Sequence, residues 1–257
     1  MTGVEWRPGG TMSASFRLRF IPILTVILLG LGIPFAAAEI VDLARHYSRL
    51  VPPIADKLGW LYAQHGVQLA LALIAIAAMK WLVPADYGLH APRQKSYVGW
   101  AILWGAVFGV LMTIVDYLPS LLAQTAPRLG YPLTAANIAG WMGFEGLYVG
   151  PTEEVLFRSL LVTYLAATMP GKLRLMGYEM NGAGIVVALI FALAHFGSFF
   201  SDPFWLASGQ FLYAFALGVL YAYWLEKSKS VLAPIVGHNV SDGVEYALLF
   251  VMVWAWS

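Results

Sequence analysis

Apolar residues run in long blocks along this chain, separated by short segments where glycine, proline and charged residues gather. Because ~20 predominantly apolar residues cross a bilayer as one helix, the blocks predict membrane spans near 18–38, 59–83, 97–118, 138–168, 182–200, 204–225 and 232–256, seven in all. Trp60, Trp81, Trp100, Trp205, Trp224, Trp254 and Trp256 fall near their ends, where amphipathic rings settle at the headgroups. Residues 1–15 read as a flexible tail, 16–137 as a unit of three N-terminal spans and 138–257 as a four-span core. The connection 119–137, with Pro119, Pro127 and Pro132, reads as an irregular loop with one surface-lying turn.

Composition sets the environment. Apolar residues make up 60% of the chain and charged residues 11%, with a mean hydropathy of +0.72, values far outside those of soluble globular domains. The expected fold is an all-α, polytopic transmembrane helix bundle in a lipid bilayer. A net charge of +1 without a basic run gives no footprint for nucleic acid. The absence of cysteine removes disulfide frameworks, thiolate nucleophiles and thiolate metal sites. Lysine and arginine concentrate before span one (Arg7, Arg17, Arg19), after span two (Lys80, Arg93, Lys95), after span four (Lys172, Arg174) and after span six (Lys227, Lys229). The alternate connections are neutral or mixed, which predicts a cytoplasmic N-terminus and an outside C-terminus. Short loops without targeting signals fit a bacterial inner membrane. Span one also imitates a secretory signal, with Arg17 and Arg19 before an apolar core and Ala36, Ala37 and Ala38 after it; its length and the charge alternation favour a retained helix.

Ionisable side chains at bilayer depth are costly, and they point to function. In Pro151-Thr152-Glu153-Glu154-Val155-Leu156-Phe157-Arg158, Glu154 and Arg158 are four apart, the favourable order for an ion pair on one helix face. Glu153 is rotated away by the helical period, without that partner, and free to face a cavity. Gly150 and Pro151 predict a break or kink just upstream, which would place Glu153 in the first turn of a half-helix. In span five Phe191 and His195 share a face, and in span seven His238 and Asp242 do, with Glu245 close to the same stripe. An imidazole and a carboxylate one turn apart can orient each other, bind a metal together or share a proton.

Taken in order, Glu153-Glu154 with Arg158, Phe191 with His195, and His238 with Asp242 resemble the motifs of the CPBP family, which comprises type II CAAX prenyl proteases and bacteriocin-processing or immunity-associated intramembrane proteases. The resemblance covers residues ~138–245 and leaves the first three spans without a signature. It implies a conical polar cavity formed by spans four to seven, and an intramembrane endopeptidase acting on a membrane protein or lipidated peptide. In that reading Glu153 and His195 activate a water, His238 and Asp242 stabilise the oxyanion, and Glu154, Arg158 and Phe191 support them. Asp242 stands where asparagine is common, and an ionised aspartate cannot donate to an oxyanion; it is either protonated or orients His238. Ser159 stands where glycine is common. A metal-free mechanism is preferred; the alternative is a zinc ion held by Glu153, His195 and His238. Other functions open at this point are a non-catalytic membrane scaffold or regulator and a proton-coupled transporter.

Overall fold

The computed structural model describes residues 19–47, 57–175 and 177–257; the tail at 1–15, with Arg7, and the first residues of span one, with Arg17, lie outside the described residues. Among the described residues the chain is a helix bundle with one small hairpin. In lipid every backbone N–H and C=O needs an internal partner, which the helix provides within each segment. Helices α1 (Phe20–Tyr47), α2 (Lys57–Leu82), α3 (Val98–Asp116) and α10 (Phe204–Ser228) are long and apolar enough to cross a membrane, as is the Gly182–Ser201 stretch formed by α8 (Gly182–Ala194) and α9 (Ser198–Ser201). Their outer faces expose large apolar side chains such as Phe20, Leu28, Phe35, Ile74, Leu103 and Leu212. A contiguous apolar coat of that kind faces lipid in an integral membrane protein. Trp81 and Trp254 are exposed as a headgroup belt requires, but Trp224 is buried against Tyr221 at 5.6 Å between ring centres and belongs to the core.

The fourth and seventh apolar blocks carry the ionisable motifs and do not meet that length-and-hydropathy standard. The seventh is the single helix α11 (Leu232–Trp256). The fourth is helical from Ala135 to Thr168 but alternates in type: α5 (Ala135–Gly143), a π-helical turn Phe144–Tyr148, α6 (Val149–Glu154), a π-helical stretch Val155–Val162 and α7 (Thr163–Thr168). All eight residues of the second π stretch are buried, packed against α1, α2, α8 and α10. Non-standard backbone at membrane depth is tolerated where protein covers it. Leu156, Leu160, Leu161 and Leu165 are fully buried and form the centre of the main core with Val26, Ala72 and Val187.

Of the break or kink predicted at Gly150-Pro151, the break does not occur. Proline cannot donate to the carbonyl four residues back, that of Leu147, and Asn239 of α11 takes up the loss. Its Nδ2 donates to the Leu147 carbonyl at 3.2 Å, and its Oδ1 accepts from Gly150 N at 2.9 Å. With both backbone groups satisfied, the helix continues through the proline. Glu153 therefore sits inside a continuous helix and not at the start of a half-helix.

Glycines set the distance between α3 and α11. A Cβ at Gly105 would lie 2.7 Å from the Gly237 carbonyl, and one at Gly109 would lie 2.5 Å from the Ser241 carbonyl. Only glycine permits this approach, a common means of helix association in membranes. It seats the segment carrying His238 and Asp242. The loop at 119–137 contains the short helix α4 (Leu118–Ala123) and is otherwise irregular up to α5. Strands β1 (Lys172–Leu175) and β2 (Tyr178–Asn181) pair antiparallel, with Lys172 opposite Asn181, between α7 and α8.

Candidate active site

Glu154 and Arg158 form the predicted ion pair, Nε to Oε2 at 2.9 Å, with both side chains fully buried. The guanidinium makes no well-aligned hydrogen bond among the described residues. Its charge is instead faced by aromatic rings, Phe191 at 4.6 Å, Tyr221 at 5.6 Å and Phe157 at 6.0 Å from their centres. Desolvated cations over aromatic faces gain more than exposed ones. Phe191 thus covers Arg158, and its edge also meets both His195 and His238, at 5.2 and 6.2 Å.

The second oxygen of Glu154 accepts from His238. Nδ1 of His238 lies 2.8 Å from Glu154 Oε1, and Nε2 lies 3.1 Å from Asp242 Oδ2. A carboxylate only accepts, so with both acids ionised both ring nitrogens carry hydrogen and the ring is an imidazolium. Glu154 then sits between two cations, which makes its burial tolerable. This arrangement supports Asp242 as the residue that orients His238, and it leaves Asp242 no hydrogen to offer an oxyanion. The Ser241 hydroxyl, 3.1 Å from Asp242 Oδ1, holds the carboxylate from the other side.

Glu153 differs from its neighbours. Its Oε2 is 3.9 Å from His238 Nε2, its side chain is 19% exposed, and it makes no hydrogen bond to the protein among the described residues. It is the carboxylate of the cluster with oxygens free to hold a small molecule.

His195 is set apart. It caps α8, and its Nδ1 lies 3.0 Å from the Phe191 carbonyl of its own helix. A carbonyl accepts only, so Nδ1 carries the proton and Nε2 is the nitrogen free to accept one. Its ring stands on the edge of Phe191 and makes no hydrogen bond to Glu153 or His238.

The ligand set considered for zinc, Glu153, His195 and His238, is not assembled. Among the described residues no group of three or more His, Cys, Asp and Glu is arranged to hold a metal ion. Both nitrogens of His238 are already engaged by carboxylates, so the donor set does not fit a zinc site, and no step is routed through a metal.

Residues beyond the motifs also reach the site. Helix α2 brings His65 to Thr152, Nδ1 to Oγ1 at 2.9 Å, so the site has a wall from span two as well as from spans four to seven. Glu145, one turn upstream of α6, lies near Tyr246, Asp242 and Glu153. Glu245 lies beside Asp116 of α3, with no bond to His238 among the described residues. Tyr213 donates to the same Asp116 at 3.1 Å. The rule that intramembrane ionisable residues are functional candidates could have marked His65, Glu145 and Asp116; their partners are remote in sequence and left no pattern.

Residues 135–244 match the family model described as type II CAAX prenyl endopeptidase Rce1-like. Comparison with curated proteins and with solved structures gives no match. The matched stretch runs from the first residue of α5 to the fourth turn of α11 and contains Glu153, Glu154, Arg158, Phe191, His195, His238 and Asp242. Over residues 135–244, less than half of its length, the chain is similar to the Rce1-like type II CAAX prenyl endopeptidases, and that stretch holds the buried acid–imidazole cluster.

Proposed function

We propose that the protein hydrolyses a peptide bond of a lipid-anchored or membrane-embedded peptide, with Glu153 as the base, His195 aiding it, and His238 held by Asp242 as the oxyanion donor. The observation that carries this is the free carboxylate of Glu153 beside an imidazole whose two nitrogens are fixed by Glu154 and Asp242. A water between Glu153 and His195 Nε2 gives its proton to Glu153 as its oxygen attacks the carbonyl carbon. Negative charge builds on the carbonyl oxygen, which becomes a second acceptor for the Nε2–H that His238 otherwise turns to Asp242; preorganised donors are a large part of catalysis. The proton held by Glu153 passes to the amide nitrogen, the C–N bond breaks, and a carboxyl group and an amine leave. Glu154, braced by Arg158, holds His238 in place. The substrate is a membrane protein or a prenylated peptide entering laterally from the bilayer, as the family's name suggests.

All seven helical segments cross the membrane in this reading, with the N-terminus in the cytoplasm of a bacterial cell. The tertiary structure supports it by gathering the basic segments at one end. Arg19 donates to the Thr168 carbonyl, Lys227 donates to the Glu179 carbonyl of the hairpin, and Val231 N donates to the Gly88 carbonyl.

The test is cleavage of a fluorogenic prenylated peptide, alongside a library of membrane peptides, by purified protein in nanodiscs. Glu153→Gln is expected to lower kcat about 10²- to 10⁴-fold with the helical content and unfolding temperature retained. Undiminished cleavage by this variant would remove Glu153 from the mechanism, and a wild-type protein that cleaves nothing in the library would favour a scaffold.

A further inference from the structure

Helix α2 lies outside the family-matched stretch, yet it sets an imidazole against the residue next to Glu153. The Thr152 hydroxyl donates to the Val149 carbonyl at 2.7 Å. A hydroxyl has one proton, so towards His65, at 2.9 Å, the oxygen can only accept. His65 Nδ1 therefore carries hydrogen, and Nε2 is the nitrogen that gains or loses a proton. Nε2 has no hydrogen-bond partner in the protein among the described residues. Phe144 packs edge-on against the ring at 5.1 Å and 85°, which fixes its plane. One turn along α2 the buried Gln68 donates to the Thr152 carbonyl at 3.4 Å.

Two polar side chains of one membrane helix thus converge on a single, fully buried threonine. Burying polar groups in a span costs free energy that an apolar contact would avoid. A mere staple between helices would need only the Nδ1 hydrogen. The imidazole offers more, because its Nε2 stays unpaired among the described residues while its anchor Thr152 adjoins Glu153 in the chain.

We propose that His65 is a positioning residue of the active site, fixing through Thr152 the turn that aims Glu153 and keeping an Nε2 without a hydrogen-bond partner in the protein among the described residues. The proposal rests on Glu153 as the base, and its test is split so that the two can fail separately. The first arm needs no substrate: the full-length protein, labelled with ¹⁵N in the histidine rings, is titrated in detergent micelles. The neutral His65 ring is expected as the Nδ1–H tautomer, and its midpoint is expected to move by about half a pH unit or more on Glu153→Gln. An Nε2–H tautomer, or a midpoint indifferent to Glu153→Gln, overturns the proposal.

The second arm measures turnover of the prenylated peptide. His65→Leu is expected to lower kcat about 10- to 100-fold, as small misplacement of a catalytic group does, with KM changed far less and the acid limb of the pH profile altered. His65→Asn keeps an N–H near the Nδ1 position without a titrating nitrogen. It is expected to restore most of kcat while the acid limb stays altered. A wild-type pH profile and kcat in both variants overturns the proposal, whereas a wild-type protein without any peptidase activity overturns the function and leaves the first arm to decide on His65.

Discussion

At the residue scale the costliest group is Arg158, a guanidinium without solvent exposure, held by one carboxylate and three aromatic faces. Removing one partner of a buried ion pair leaves the other charge uncompensated, at about 3–5 kcal/mol. Arg158→Leu is therefore expected to destabilise the protein by about that amount, read as a lower midpoint in denaturant unfolding in detergent. Glu154→Gln combined with Arg158→Met is expected to cost less than the sum of the single changes, since neither charge then remains stranded. The spacing of Glu154 and Arg158 makes the pair legible in the sequence. That Glu154 also holds His238, 84 residues away along the chain, is not. Asp242 shows the same divide: its place one turn after His238 is readable, but its contact with Nε2 at 3.1 Å follows from how the ring is turned.

At the element scale the fourth helix keeps its continuity by borrowing from the seventh. Gly150 and Pro151 are local signals for a break, and a reading of that segment alone predicts one. The amide of Asn239, 89 residues from Gly150, gives the Leu147 carbonyl the donor that proline lacks and accepts from Gly150 N, and two π-helical stretches bracket α6 where a break or kink was predicted. Asn239→Ala would leave the Gly150 N–H and the Leu147 carbonyl unpaired, each at about 1–3 kcal/mol. The expected result is a lower unfolding midpoint together with a loss of kcat, because Glu153 lies on the same turn. Gly150→Ala is expected to resemble it, since the added Cβ would meet the Asn239 side chain and approach the Ile235 carbonyl to 2.9 Å. Hydrogen exchange at residues 147–154, faster in both variants than in the wild type, checks the cause.

At the scale of the molecule, a polar brace outside the membrane seats the start of α11. Asp86 lies 2.9 Å from His90 Nε2 and 2.8 Å from Arg93, and the same loop accepts from Ser230 Oγ at the His90 carbonyl and from Val231 N at the Gly88 carbonyl. His90 is held above its ordinary value by its hydrogen bond to the Ala91 carbonyl and by Asp86. Burial alone would raise Asp86, but the hydrogen bonds from His90 and Gly88 and the nearby charges of His90 and Arg93 hold it below the usual carboxylate range. A raised histidine contributes stability that is full below its unfolded value and lost as pH rises through the folded one, and a depressed aspartate contributes above its unfolded value and loses it as pH falls through the folded one. The brace is therefore firmest between the ordinary values of 3.8 and 6.5. Exchange protection at residues 86–93 and 230–232, corrected for intrinsic rates, is expected to fall as pH rises past His90's midpoint. His90→Ala is expected to abolish that dependence.

The sequence by itself determined the medium, the helical segments and a set of candidate ionisable residues. Long apolar blocks can satisfy their backbone in lipid only as helices, and costly intramembrane acids and imidazoles declare themselves by composition. Tertiary structure alone decided which of those groups meet. His238 is shared between Glu154 and Asp242, His195 turns to its own backbone, and His65 enters from a helix without a motif. Such pairings depend on the seating of α11, which the glycines of α3 and the amide of Asn239 set at distances below what any larger side chain allows. Periodicity reports the face on which a residue sits; the opposing side chain is fixed by close packing between segments far apart in the chain.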